Sequence, residues 1–128
     1  MQARQGAAIN NMMIELCQNE DLDRLLETSQ TNPVLIFKHS TQCSVSGVAY
    51  EELQRFTETF GDVPCGVILV IENRALSNSA ASRLNVRHQS PQAILVERGL
   101  PVWTASQWSI TTDALEKALS QFPKCPTA

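Results

Sequence analysis

The stretch Pro33-Val34-Leu35-Ile36-Phe37-Lys38-His39-Ser40-Thr41-Gln42-Cys43-Ser44-Val45-Ser46-Gly47-Val48-Ala49-Tyr50 decides the fold. Val34 to Phe37 is a short apolar run, rich in β-branched and aromatic residues, with the length of one buried strand. Lys38 to Gln42 is polar and turn-like, and a helical pattern begins just after Cys43. Its inner side is Val45, Val48, Ala49, Leu53 and Phe56, and Gly61-Asp62 ends it near Phe60. A cysteine at a strand-to-helix junction meets backbone N–H groups without intrahelical partners, on the dipole end that favours negative charge. The thiolate is the reactive form of cysteine, so Cys43 is the candidate nucleophile. The competing reading of Cys43 is a small buried apolar residue.

Outward from this stretch, Leu22, Leu25 and Leu26 recur at helical spacing within Asp21 to Thr28, and Asn32-Pro33 breaks that helix. Ile9, Met12, Met13 and Leu16 suggest an earlier helix running to Cys17. On the other side, Cys65 to Ile71 reads as a second buried strand. Ser77 to Leu84 reads as a short helix with Asn85 as a left-handed stop. Ala93 to Val96 and Leu100 to Thr104 flank the turn Arg98-Gly99, which implies a hairpin, and Pro101 suits an edge strand. Thr111 to Gln121 is the last helix, capped within Thr111 to Asp113. The expected architecture is α/β and thioredoxin-like: a central four-stranded mixed sheet flanked by helices, with an extra N-terminal helix. A length of 128 residues fits one domain, with its core at about residues 20 to 122.

Composition narrows the function. Hydrophobic content of 43% and charged content of 18% are ordinary for a globular chain. The net charge is −3 and there is no basic stripe, so nucleic acid is not an expected partner. No apolar run approaches the ~20 residues of a membrane span, and Met1 to Gly6 leads into no signal-peptide core. A cytoplasmic setting with reduced thiols is the expectation. Cys17, Cys43, Cys65 and Cys125 form no C-x-x-C pair, which argues against a zinc knuckle or a dithiol motif. Ser46 stands where a C-x-x-C would have its second cysteine, and serine cannot displace a mixed disulfide. Its hydroxyl either donates to the Cys43 thiolate or serves as an ordinary helix-start group. Cys65 and Cys17 read as structural. Cys125, between Pro123-Lys124 and Pro126, reads as an incidental tail cysteine or as a resolving thiol.

Other polar residues have two readings each. Thr41, Gln42 and Ser44 flank the thiol and either line a substrate site or satisfy the loop backbone. Lys38 and His39 either favour the thiolate and meet a carboxylate, or are solvated loop charges. Asn73 and Arg74 follow the second strand at the functional end of such sheets, where arginine can hold a carboxylate and asparagine can cap a helix. His88 offers a donor and an acceptor nitrogen just before Ser90-Pro91, or is a surface histidine. Pro91, taken alone, reads as a trans proline that starts a strand. Trp108 precedes the last helix and either packs on the core or faces a ligand.

Four ordered blocks resemble the monothiol bacilliredoxins, a thioredoxin-like group. They are Phe37-Lys38-His39-Ser40-Thr41-Gln42-Cys43-Ser44-Val45-Ser46; Ile71-Glu72-Asn73-Arg74 with Ser77-Asn78; Val86-Arg87-His88-Gln89-Ser90-Pro91-Gln92-Ala93-Ile94; and Val102-Trp103-Thr104-Ala105-Ser106-Gln107-Trp108-Ser109-Ile110-Thr111. The resemblance covers about residues 20 to 120. Ser44 departs from the proline usual after the nucleophile, and Gln107 stands where histidine is frequent. The resemblance implies a Cys43 nucleophile that removes the small thiol bacillithiol from protein mixed disulfides. Bacillithiol is then a thiol co-substrate, with no metal and no tightly bound cofactor, and the partners are bacillithiolated proteins. It also implies a cis Ser90-Pro91 bond, with the Ser90 backbone aimed at a substrate strand. Lys38, His39 or Arg74 would suit the malate carboxylates of bacillithiol, and the helix start near Trp108 would take the polar end of the small thiol. The alternatives are a glutathione-using glutaredoxin-like protein, a non-catalytic thioredoxin-like adaptor or stress-induced binding protein, and a thiol sensor.

Overall fold

Val34 to Phe37 lies at the centre of the sheet with every side chain buried. The computed structural model describes residues 13–121. In chain order these form β1 (Met13–Glu15), α1 (Asn19–Thr28), β2 (Val34–His39), α2 (Ser44–Thr59), β3 (Cys65–Leu69), α3 (Arg74–Leu84), β4 (Gln92–Glu97), β5 (Leu100–Ser106) and α4 (Thr112–Gln121), with a 3-10 turn at Gln107–Ser109. The strand order is β1-β3-β2-β4-β5. β2 runs parallel to β3 and antiparallel to β4, and β4 and β5 form the hairpin.

Side-chain alternation along β2 divides the core. Leu35 and Phe37 join Val67, Ala93 and Leu95 under Ala49, Leu53 and Phe56 of α2 and Leu115 and Ala118 of α4. Val34 and Ile36 join Ile68, Ile94 and Val96 under Leu22 of α1 and Leu76, Ala80 and Leu84 of α3. The sheet is therefore covered on both faces, which is why its central strands are apolar throughout. α1 comes close to the sheet at Gly66, where a Cβ would lie 2.7 Å from Leu16 Cδ1 and from Leu25 Cδ2. No helix of the described residues is long and apolar enough to cross a membrane.

The thioredoxin-type arrangement is present, with five strands rather than the expected four. The extra strand replaces part of the helix expected over Ile9 to Cys17. Residues 9–12 lie outside the described residues, and Met13–Glu15 pairs in parallel with β3. Met13 and Leu16 explain the misreading. At a spacing of three they would share one helix face, but in an extended chain they point to opposite sides. Met13 enters the α2 side of the core and Leu16 the α1 side. Leu16 N–H donates to Val67 C=O at 2.8 Å, continuing the ladder.

Element ends differ from expectation for local reasons. β2 continues through Lys38, paired with β3 and β4, and His39, paired with β3, so neither has a loop's exposure. β3 stops at Leu69, leaving Ile71 exposed. α3 begins at Arg74 rather than Ser77 because Asn73 Oδ1 accepts the Leu76 N–H at 3.3 Å. Asn85 ends it with a φ of 54°, the expected left-handed stop. Arg98 and Gly99 have φ values of 54° and 76°, the pair of positive angles that a tight two-residue hairpin requires. Ser29, at the end of α1, docks this turn: its C=O accepts Arg98 N–H at 2.7 Å and its Oγ accepts Gly99 N–H at 2.9 Å. Pro101 lies on edge strand β5, next to a register shift opposite Leu95 and Val96.

Thr111 Oγ1 accepts Ala114 N–H at 3.0 Å at the start of α4. Glu52 of α2 reaches the same helix start. Its Oε1 accepts Thr112 N–H at 2.7 Å and lies 2.9 Å from Thr112 Oγ1. The Thr112 N–H, with help from Arg55, holds the Glu52 carboxyl below the usual glutamate range. Such a group adds stability above its unfolded pKa, and the contribution is lost as pH falls through the lower folded value. Glu52→Ala is expected to cost about 1 kcal/mol at neutral pH, by removing a partly exposed acceptor from a helix start. The deficit should shrink below about pH 4. Urea unfolding of both proteins at neutral and acid pH measures this, and a deficit independent of pH would contradict it.

Candidate active site around Cys43

Cys43 is the N-cap of α2, with extended φ and ψ of −121° and 124°. Its N–H donates to Ser40 C=O at 3.2 Å, and its C=O accepts Gly47 N–H at 3.2 Å. The side chain makes no capping hydrogen bond and is partly exposed. The loop and the helix start therefore hold Cys43 through its backbone and leave the sulfur available for chemistry.

Ser46 does the holding. It is fully buried, its Oγ accepts Ser40 N–H at 2.9 Å, and it lies 2.7 Å from His39 Nδ1. Burial lowers the His39 pKa, against a smaller opposing pull from Glu72, so the ring is neutral at pH 7. Depending on the tautomer of the neutral ring, the Ser46 hydroxyl donates to Nδ1 or the Nδ1–H donates to Ser46 Oγ. His39 stacks on Tyr50, with ring centroids 4.8 Å apart, and on Phe37 at 5.7 Å. The Ser46 hydroxyl is thus bound to the loop and the imidazole. Thr41 Oγ1 donates to Glu72 Oε2 at 3.1 Å, tying the Cys43 loop to the end of β3. Gln42 and Ser44 are exposed on either side of the thiol.

The Ser90-Pro91 peptide bond is cis. It precedes β4, whose Gln92 is in register with Lys38 of β2 and with Ser106 of β5. The antiparallel pairings bring Ser90, Pro91, Gln107 and Trp108 to the same end of the sheet as Cys43. Monothiol bacilliredoxin BrxC is the family model that matches, over residues 14–115. The chain belongs to the monothiol bacilliredoxin family.

Solved structures agree on the fold of this bacilliredoxin-family chain. One described as having a thioredoxin fold is 29% identical, with a TM-score of 0.76 over 84% of this chain and 93% of that one. Thioredoxin from Fasciola hepatica is 15% identical, with a TM-score of 0.68 over 85% and 98%. Thioredoxin f2 from Chlamydomonas reinhardtii is 19% identical, with a TM-score of 0.68 over 88% and 99%. Family and fold together make this a thiol redox protein.

Other candidates fall in different places. Lys38 is fully buried on the α3 side of the sheet, the face opposite His39 and α2. Its Nζ lies 3.1 Å from His88 Nδ1, and burial lowers its pKa to about 8. It is not a solvated loop charge. Asn73 caps α3, and its Nδ2 donates to Cys17 C=O at 2.9 Å, so its side chain is occupied structurally. Arg74 is exposed, close enough for its charge to depress the His88 pKa. Trp108 is 66% exposed, unlike the core-packed alternative. Cys65 is buried, and its thiol is pushed up to about 12, which makes it inert. Cys17 Sγ lies 3.9 Å from Glu15 Oε2, and Cys125 lies outside the described residues.

Gln107, which the resemblance sets at a frequent histidine position before the last helix, has a contact that the sequence does not show. Its φ is +57°, its N–H donates to Pro91 C=O at 3.1 Å, and its Nε2 donates to Ser90 C=O at 2.9 Å. It clamps both carbonyls of the cis-proline turn. The contact itself depends on the β4–β5 register.

Proposed function

We infer that this chain removes bacillithiol from protein mixed disulfides. The observation that carries the reading is Cys43 at the start of α2 with a hydroxyl, not a thiol, at position 46. The Cys43 thiolate attacks the bacillithiol sulfur of a protein–S–S–bacillithiol bond. A Cys43–S–S–bacillithiol bond forms, the protein sulfur leaves as a thiolate, and it takes up a proton from solvent. Ser46 cannot attack this adduct, so a second bacillithiol thiolate displaces Cys43 and leaves as bacillithiol disulfide, or a separate reductase supplies the electrons. The Ser90 backbone beside cis-Pro91 presents an edge to the protein substrate. Thr41, Gln42 and Ser44 border the small thiol. Reduced thiols are needed throughout, which fits a cytoplasmic setting.

The test is release of bacillithiol from a bacillithiolated protein, followed by intact mass. The expected result is loss of bacillithiol from the substrate with a matching gain on Cys43. Transfer from a glutathionylated substrate alone would favour the glutaredoxin-like reading. A slowly reversed adduct that changes partner binding would favour a sensor. No adduct with either thiol would leave a binding module.

A further inference from the structure

Lys38 is a buried amine that the exchange chemistry does not use. It is 0% exposed, and among the described residues no carboxylate pairs with it. Buried lysines are ordinarily paired, because an isolated charge is costly to desolvate. Its hydrogen-bond partner is His88 Nδ1, at 3.1 Å. Ser77 Oγ of α3, itself 1% exposed, lies 3.3 Å from the same nitrogen. His88 belongs to the segment between Asn85 and the Ser90-Pro91 turn. Beyond His88, the segment is held at Arg87, whose C=O accepts from Gln92 Nε2 at 3.0 Å.

We propose that Lys38 and His88 are positioning residues for disulfide exchange: Lys38 holds neutral His88 and so fixes the segment that presents Ser90 and Pro91 to the substrate. The role rests on the exchange reading above. The geometry also makes it sensitive to acid. Nδ1 accepts from Nζ only while it carries no proton. Protonated, His88 faces the Lys38 ammonium, with the charge of Arg74 near and Ser77 Oγ beside the same nitrogen. Repulsion and the lost hydrogen bond then release the segment at His88, leaving it tethered by Gln92 at Arg87 and by Gln107 at Ser90 and Pro91. Burial and these two cations hold His88 below the usual histidine range, so the contact is intact at neutral pH and fails under acid conditions.

The test uses the full chain and a peptide disulfide-linked to a thionitrobenzoate chromophore, whose release reports attack by Cys43 on any disulfide. Rates are divided by the rate of Cys43 alkylation at the same pH, which removes the titration of the thiol. The corrected wild-type rate is expected to fall severalfold from about pH 7.5 to about pH 5. His88→Ala should be slow at both. His88→Asn places Oδ1 near the position of Nδ1 and cannot be protonated in this range, so it should restore the neutral-pH rate and abolish the acid fall. Proton NMR of the His88 ring, which needs no substrate, should show its midpoint rising in Lys38→Met. An acid fall that persists in His88→Asn overturns the proposal, as does an unmoved His88 midpoint in Lys38→Met. If wild type releases no chromophore at any pH, the exchange reading fails and this role with it. The NMR midpoint then tells separately whether the Lys38–His88 contact exists.

Discussion

Cys43→Ser should lower disulfide exchange by at least about 10³-fold while leaving the fold intact. The oxygen of a serine is not appreciably ionised near neutral pH and cannot form a disulfide, so neither attack nor adduct remains. The fold should tolerate the change because the Cys43 side chain makes no capping hydrogen bond and the residue is held by its backbone. A hydroxyl at an N-cap can accept an N–H from the first turn of α2, which would add up to about 1 kcal/mol of stability. Chromophore release from the peptide disulfide and urea unfolding of the same preparation read the two effects. Activity above about 1% of wild type would mean that another thiol does the chemistry. A large loss of stability would mean that the Cys43 sulfur supports the helix start.

Lys38→Met should stabilise the protein at neutral pH. The lysine pKa in the folded state is about 8, below the ordinary value near 10.5, because burial penalises its charged form. Below pH 8 both folded and unfolded chains carry the proton, and the folded chain bears a penalty of up to about 3 kcal/mol. Methionine has nearly the same shape and no charge, so it removes that penalty but also the hydrogen bond to His88. A net gain of about 1–2 kcal/mol at pH 7 is expected. As pH rises from about 8 to about 10.5 the wild type sheds its buried proton while its unfolded chain keeps one, so wild-type stability climbs and the gain narrows. Cys65 opposes this in the absolute curves, because a thiol pushed up to about 12 favours the unfolded chain above about pH 9. Cys65 is common to both proteins and cancels in the difference. Urea midpoints at neutral and alkaline pH check the sign and the trend. Loss of stability at pH 7 would mean that the His88 contact outweighs desolvation.

Where neighbouring residues carry the information, the chain could be read directly. Val34 to Phe37 is apolar throughout because β2 lies between two strands and under helices on both faces. Cys43 stands at a strand-to-helix junction because polar residues separate two periodic patterns. Asn85 and Arg98-Gly99 mark positions where the backbone turns left-handed, which few residues accept. From these local features follow the element order from α1 onward, the hairpin, the place of Cys43 and its lack of a partnering thiol three residues on.

Tertiary structure decided what depends on contacts between distant segments. Met13–Glu15 is a strand because β3 offers an unpaired edge, and no local period in those few residues distinguishes strand from helix. Lys38 and His39 are adjacent in sequence yet part to opposite faces, one toward His88 and the other toward Ser46 and Tyr50, because a strand alternates. Ser46 holds the Cys43 loop through a backbone N–H six residues earlier. Gln107 reaches the cis-proline turn only because β5 returns beside β4 in one register. The sequence alone therefore determined which cysteine stands at the strand-to-helix junction, since spacing along the chain sets that, and packing across the sheet decided which residues hold it in place.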